Sequence, residues 1–189
     1  MPPTYVIGLI AGGDHALRHP VEDAEHDEEI GCVELQNHNI NPKDTVVGIA
    51  ASGITPYVVG ALREARKIGV LTASISSNSN SPNAQETDIP IEMIVGPEYV
   101  SGSSRMKSGT GQKMILNMIT TSVMIKIGCV EGNKMVNMQL SNKKLVERGR
   151  GANMIIEDLE LSYEKSESLL LEHGSVRKAI DYYRESMNK

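Results

Sequence analysis

Aromatic residues are scarce in this 189-residue chain, which has no Phe, no Trp and only six Tyr. The core must be filled by other side chains, and ten Met supply part of that volume. Cysteine is nearly absent too. Cys32 and Cys129 lie far apart and form no motif, which reads as two reduced thiols in a cytosolic protein. No apolar run reaches the roughly 20 residues that a membrane helix needs. The longest candidate, Met114 to Ile127, is broken by Asn117, Thr120, Thr121, Ser122 and Lys126. The amino terminus, Met1-Pro2-Pro3-Thr4, has neither the basic region nor the apolar core of a signal peptide. A cytoplasmic protein without a membrane partner is expected. An excess of positive charge is also lacking: the formal net charge is -5, which speaks against generic nucleic-acid binding. A local basic pocket around a phosphate is compatible with that balance.

What is present is a regular alternation of short apolar runs and helical patterns. Tyr5 to Ala11 reads as a buried strand ending in Gly12-Gly13. Asp14 to His19 reads as a helical turn stopped near Pro20, and Val21 to Asn37 as an acidic helix. Asn41 to Asp44 is a turn. Thr45 to Ala50 is a second strand, and a helix spans about Pro56 to Ile68 with Gly69 at its C-cap. Leu71 to Ser76 is a third strand, Ser77 to Pro82 a polar loop, and Ile89 to Val95 a fourth strand. A long helix runs from about Lys107 to Ile127, a second helical region covers about Lys134 to Arg148, and Asn153 to Tyr183 reads as two or three short helices. Such alternation predicts an α/β fold, a three-layer parallel sheet with helices on both faces, plus a small C-terminal helical appendage. The expected division is residues 1–150 and 151–189.

In open parallel sheets, ligands sit beyond the carboxyl ends of the strands. Two Gly/Ser turns fall at that edge. Ala50-Ala51-Ser52-Gly53-Ile54-Thr55-Pro56-Tyr57 follows a strand and opens a helix. A turn of this kind aims N–H groups and hydroxyls at an anion. Gly53 permits close backbone approach, Thr55 fits an N-cap, and Pro56 the first helical position. A well-capped βα turn with no ligand has the same spacing. Gly102-Ser103-Ser104-Arg105-Met106-Lys107 is the second turn, with hydroxyls and cations suited to a phosphate monoester. A polar turn with solvated charges would look alike.

Glu22 and Glu25 lie in a charge run that reads as a solvated helix face, unless one carboxylate is buried beside a ligand and serves as a proton shuttle. His15 and His19 have metal-ligand spacing, but Pro20 weakens the helix and no third ligand stands out, so surface histidines are the reading. Gly8, Gly12 and Gly13 fail the dinucleotide pattern.

Several longer stretches resemble the N-acetylmuramic acid 6-phosphate etherase family of sugar-isomerase (SIS) domain proteins, related to the glucokinase regulatory protein. They are Ile10-Ala11-Gly12-Gly13, Val21-Glu22-Asp23-Ala24-Glu25, Ala50 to Tyr57 and Val100 to Lys107. Gln112 to Met118 and Gly132 to Val136 resemble it as well. The resemblance runs from residue 2 to about 148 and continues more weakly to the end. It implies a flavodoxin-like SIS domain and cleavage of the lactyl ether of a phosphorylated amino sugar. The products would be N-acetylglucosamine 6-phosphate and D-lactate, in peptidoglycan recycling. No metal or organic cofactor is implied, and the family works as a homodimer. By resemblance, Glu25 is the catalytic base, and Ser52, Gly53, Thr55, Ser103, Ser104 and Lys107 bind substrate.

The departures are specific. The family's second catalytic glutamate precedes a Cys-Pro-Pro-Thr segment, whereas Pro2-Pro3-Thr4 here follows Met1 directly. That glutamate and a preceding sugar-phosphate loop are therefore expected to be missing. Ile54 stands where the family has Arg. Three readings follow: an active etherase, a sugar-phosphate-binding module without turnover, and an aldose–ketose isomerase, against which the etherase motifs argue.

Overall fold

The structure is a computed structural model that describes residues 5–136 and 149–187. It divides into two compact units, Met1–Asn117 and Met118–Lys189.

The first unit is built on a parallel sheet. Strand β1 (Thr45–Ile49) pairs with β2 (Leu71–Ser76), and β2 with β3 (Ile89–Glu92), in the order β1-β2-β3. Helices flank it: α1 (Gly13–Ala16), α2 (Glu28–Asn37), α3 (Pro56–Lys67), α4 (Pro82–Gln85) and the start of α5 (Lys107–Lys126). This is the α/β class that the alternating pattern predicts.

Alternation along the strands explains how the layers sit. Val46 and Gly48 share one face with their neighbours Thr72 and Ser74. A side chain at Gly48 would meet Leu62 at 2.5 Å and Val58 at 2.7 Å, so α3 lies directly on that face. Thr72, Ser74 and Ser76 are buried there and partnered. Thr72 bonds Asp88, Ser74 bonds Thr87, and Ser76 accepts from Ser81. Helix α2 packs on α3 through facing glycines: a Cβ at Gly31 would lie 2.3 Å from the Tyr57 carbonyl, and one at Gly60 2.3 Å from the Glu28 carbonyl. Leu35, Ala65 and Val70 form the core beneath. Arg63 bridges Glu28 and Glu86, tying α2, α3 and the end of α4 together.

Three sequence expectations are corrected. Tyr5 to Ala11 is not a buried strand: Tyr5, Val6 and Ile7 are exposed, and no described residue pairs with the run. Unpaired main chain gains nothing from extended geometry. The helix expected from Val21 begins only at Glu28, because Asp27 takes the N-cap and accepts from Glu29 and Ile30, while Asp23 adopts a left-handed backbone with φ 63. The expected helix at Lys134 opens instead as a strand; most of the remainder, 137–148, lies outside the described residues.

In the second unit, β4 (Val130–Glu131) and β5 (Lys134–Met135) form an antiparallel hairpin. Among the described residues three helices follow, α6 (Arg150–Leu159), α7 (Tyr163–His173) and α8 (Val176–Met187). They close around Ile155, Leu169, Leu170, Val176, Ala179 and Ile180. Ser162 caps α7, and Gly174 ends it in a left-handed conformation.

Candidate functional site: the carboxyl edge of the sheet

Chain segments leaving β1 and β2 meet at the carboxyl end of the sheet. The β1 exit is the Ser52–Pro56 turn. Gly53 is buried with φ 74, and a Cβ there would lie 2.4 Å from Ser81. Glycine is therefore required twice over, by backbone conformation and by the close approach of the neighbouring loop. Ser52 is exposed, and its hydroxyl accepts from the Ile54 N–H at 3.3 Å. Thr55 occupies the N-cap of α3 with Pro56 behind it, as expected, but its side chain makes no cap bond. The Thr55 carbonyl instead accepts from Val58 and Val59.

Glu25 reaches the same turn through its main chain. The Tyr57 N–H, in the first turn of α3, donates to the Glu25 carbonyl at 3.1 Å. Ser52, Gly53, Thr55 and Glu25 are thus brought together. The Glu25 carboxylate is exposed, as is that of Glu22. Tyr57 itself is buried, and its hydroxyl donates to Glu34. Burial first, and then the neighbouring carboxylate, push the Tyr57 phenol well above its ordinary range.

The second Gly/Ser turn is held by its own neighbours in sequence. Ser103 donates its N–H to Val100, and the Ser104 carbonyl accepts from Gly109. The start of α5 is already occupied by a carboxylate. Glu98 accepts from the Ser108 N–H and the Lys107 N–H, both at 2.9 Å. Those two N–H groups hold the Glu98 carboxyl below its usual range. The Lys107 ammonium is turned back onto the Pro97 carbonyl at 2.8 Å. Among the described residues, no hydrogen bond joins Ser103, Ser104 or Lys107 to the Ser52–Pro56 turn.

Sequence reasoning passed over Glu98 and Asn78. Glu98 stands nine and ten residues before the N–H groups it caps, outside the capping-box spacing. Asn78 lies in a polar loop with no motif, yet its amide donates to the Ser52 carbonyl at 3.0 Å. The rings of His15 and His19 stack at 4.9 Å. Among the described residues no group of three or more His, Cys, Asp or Glu is arranged to hold a metal ion, and no helix is long and apolar enough to cross a membrane. Cys32 and Cys129 are half-buried and form no disulfide.

The fold is of the parallel α/β class with a Ser/Gly turn leaving its first strand, and residues 3–66 match the glucokinase regulatory protein N-terminal SIS domain. The likeness to individual proteins is closer. An N-acetylmuramic acid 6-phosphate etherase of Bacteroides fragilis is 71% identical over 184 residues, covering 97% of this chain and 65% of that protein. One of Porphyromonas gingivalis is 64% identical over 189 residues, covering 100% of this chain and 68% of the relative. The chain belongs to the N-acetylmuramic acid 6-phosphate etherase family, and it spans just under two thirds of the length of the Bacteroides fragilis relative. Among solved structures, the Vibrio vulnificus NanR protein complexed with ManNAc-6P overlaps partially, with a TM-score of 0.45 and 16% identity over 53% of this chain and 37% of that one.

Proposed function

We propose that the carboxyl edge of the sheet binds N-acetylmuramic acid 6-phosphate and that the protein takes part in cleaving its lactyl ether. The observation that carries this reading is the bond from the Tyr57 N–H to the Glu25 carbonyl, which joins a carboxylate residue to an anion-suited turn. Family membership names the chemistry that such a pair would serve. Ser52, Gly53 and Thr55 would receive the phosphoryl group, using the turn's hydroxyls and the positive end of α3. Ser103, Ser104 and Lys107 would line the same sugar phosphate from the start of α5. For Lys107, this requires release from Pro97.

The reaction is an elimination followed by hydration. Glu25, as base, removes the proton at C2 beside the open-chain aldehyde. The C3–oxygen bond breaks, and a proton is delivered to the departing lactate oxygen. Water then adds at C3, so substrate and one water yield N-acetylglucosamine 6-phosphate and D-lactate. The residues assigned here need no metal or organic cofactor. We place the protein in the cytoplasm as a homodimer, with the SIS-type domain over residues 1–150 and a helical region over 151–189.

A second reading, recognition of the sugar phosphate without turnover, is favoured by the exposure of Glu25 and by Ile54, 62% exposed in the turn itself. Incubation with N-acetylmuramic acid 6-phosphate separates the two. D-lactate release supports the etherase; calorimetric binding without release supports the binding module; the absence of both binding and release overturns the assignment of this edge.

A further inference from the structure

The segment 77–83 holds three consecutive carbonyls where β1 leads into the Ser52–Pro56 turn, those of Ala51, Ser52 and Gly53. The Ser77 N–H donates to Ala51 at 2.9 Å, the Asn78 side-chain amide to Ser52 at 3.0 Å, and the Asn83 N–H to Gly53 at 2.9 Å. All peptide bonds described are trans. In a trans peptide the carbonyl and the following N–H point in opposite directions. Pinning the three oxygens to residues 77–83 therefore turns the N–H groups of Ser52, Gly53 and Ile54 away from that loop. The Gly53 N–H then meets the Ala50 carbonyl at 3.1 Å, and the Ile54 N–H meets the Ser52 hydroxyl.

Two of the three bonds are main chain to main chain and would survive most substitutions. The middle one depends on the Asn78 side chain. The loop presenting that amide is itself anchored. The Ser76 hydroxyl donates to the Asn78 carbonyl at 3.1 Å, the Asn80 N–H donates to Glu92 at 2.6 Å, and Ser81 packs against Gly53. Asn80 adopts a left-handed backbone with φ 52 to make this geometry.

We propose that Asn78 is a positioning residue for phosphoryl binding. Its amide fixes the Ser52–Gly53 peptide so that the turn offers its hydroxyls and the Ser52 N–H, and not the Ser52 carbonyl, to the phosphoryl oxygens of a phosphorylated sugar, while the Gly53 and Ile54 N–H groups stay bonded within the turn. The inference rests on the reading of this turn as the phosphate site. Without the Asn78 donor, only the Gly53 N–H bond to the Ala50 carbonyl holds that peptide directly, and the Ser52 carbonyl gains freedom to turn toward the anion and oppose it.

The test compares wild type with Asn78→Ala and Asn78→Asp, which has the same shape but cannot donate. Calorimetry measures binding of N-acetylglucosamine 6-phosphate, inorganic phosphate and unphosphorylated N-acetylglucosamine. Amide resonances of Ser52 and Gly53 are followed through the phosphate titration. Both variants should weaken the two phosphate-bearing probes about tenfold. The unphosphorylated sugar and the melting temperature should not change, since Asn78 is exposed. Wild-type affinity for phosphate in both variants, or an equal loss for all three probes, overturns the role of Asn78 alone. A wild-type protein that binds neither phosphate-bearing probe overturns the phosphate site and this proposal together.

Discussion

The main-chain N–H of Tyr57 donates to the carbonyl oxygen of Glu25 at 3.1 Å. A residue from the loop before α2 is thereby carried by the first turn of α3, next to the Ser52–Pro56 turn. Because the bond uses the main chain, the side chain of Glu25 can be changed without releasing it. Glu25→Gln should therefore fold with unchanged thermal stability and bind N-acetylmuramic acid 6-phosphate like wild type. Its rate of D-lactate release should fall by roughly 10²–10⁴, the usual contribution of a general base. Unchanged turnover would remove Glu25 from the chemistry.

Glycine packing governs how close the layers come. At Gly53, alanine would have to adopt φ 74 and place its Cβ 2.4 Å from Ser81. At Gly31 and Gly60, a Cβ would strike a carbonyl oxygen of the facing helix at 2.3 Å. Neither contact is relieved by a side-chain rotation, since the obstacles are backbone oxygens. Each Gly→Ala change should cost about 1–3 kcal/mol in urea denaturation. Gly53→Ala should also weaken phosphate binding, whereas Gly31→Ala and Gly60→Ala should act on stability alone.

Parts of this arrangement are legible in the sequence and parts are not. Strand β2 is readable residue for residue, from Leu71 to Ser76, because small and apolar residues alternate there with hydroxyl residues between Gly69 and a Ser/Asn loop. The Thr55-Pro56 start of α3 is equally plain. The acidic stretch from Val21 misleads, because its spacing is helical while Asp27 competes as a cap and stops the helix from extending backward. Tyr5 to Ala11 misleads for another reason: apolar composition marks a strand only if a neighbour accepts its main-chain bonds. The Asn78–Ser52 contact joins residues 26 apart in sequence, and the Glu98 cap joins residues nine and ten apart. Contacts of that span are set by the course of the loops, which no local pattern encodes.

Tyr57 and Glu34 link α3 to α2 by a hydrogen bond from a buried phenol to a half-buried carboxylate. Tyr57→Phe leaves the carboxylate without that donor and should cost about 1.5–3 kcal/mol, the range for bonds to charged groups. A double-mutant cycle with Glu34→Gln, read by chemical denaturation, should show coupling between the two sites. The sign with pH follows from the raised phenol. The native state holds the proton more tightly than the unfolded chain, so the stabilisation is complete below the ordinary phenol range and is lost as pH rises above about 10. Tyr57→Phe should flatten the alkaline limb of the stability curve.

Acid should act through Glu98 and Asp88. The Ser108 and Lys107 N–H groups hold the Glu98 carboxyl below its usual range. The Thr72 N–H, then the Thr72 hydroxyl, and more weakly Arg66 do the same for Asp88. A depressed carboxyl contributes stability that is present above its unfolded value and lost as pH falls through its folded one. The melting temperature should therefore hold at neutral pH and decline as pH drops below about 4. Glu98→Gln and Asp88→Asn should each melt lower than wild type at neutral pH and lose less on acidification, so that the curves converge at low pH. Parallel curves down to pH 2.5 would mean that these carboxylates ionise alike in the folded and unfolded chain, and that the α5 cap rests on geometry rather than on charge.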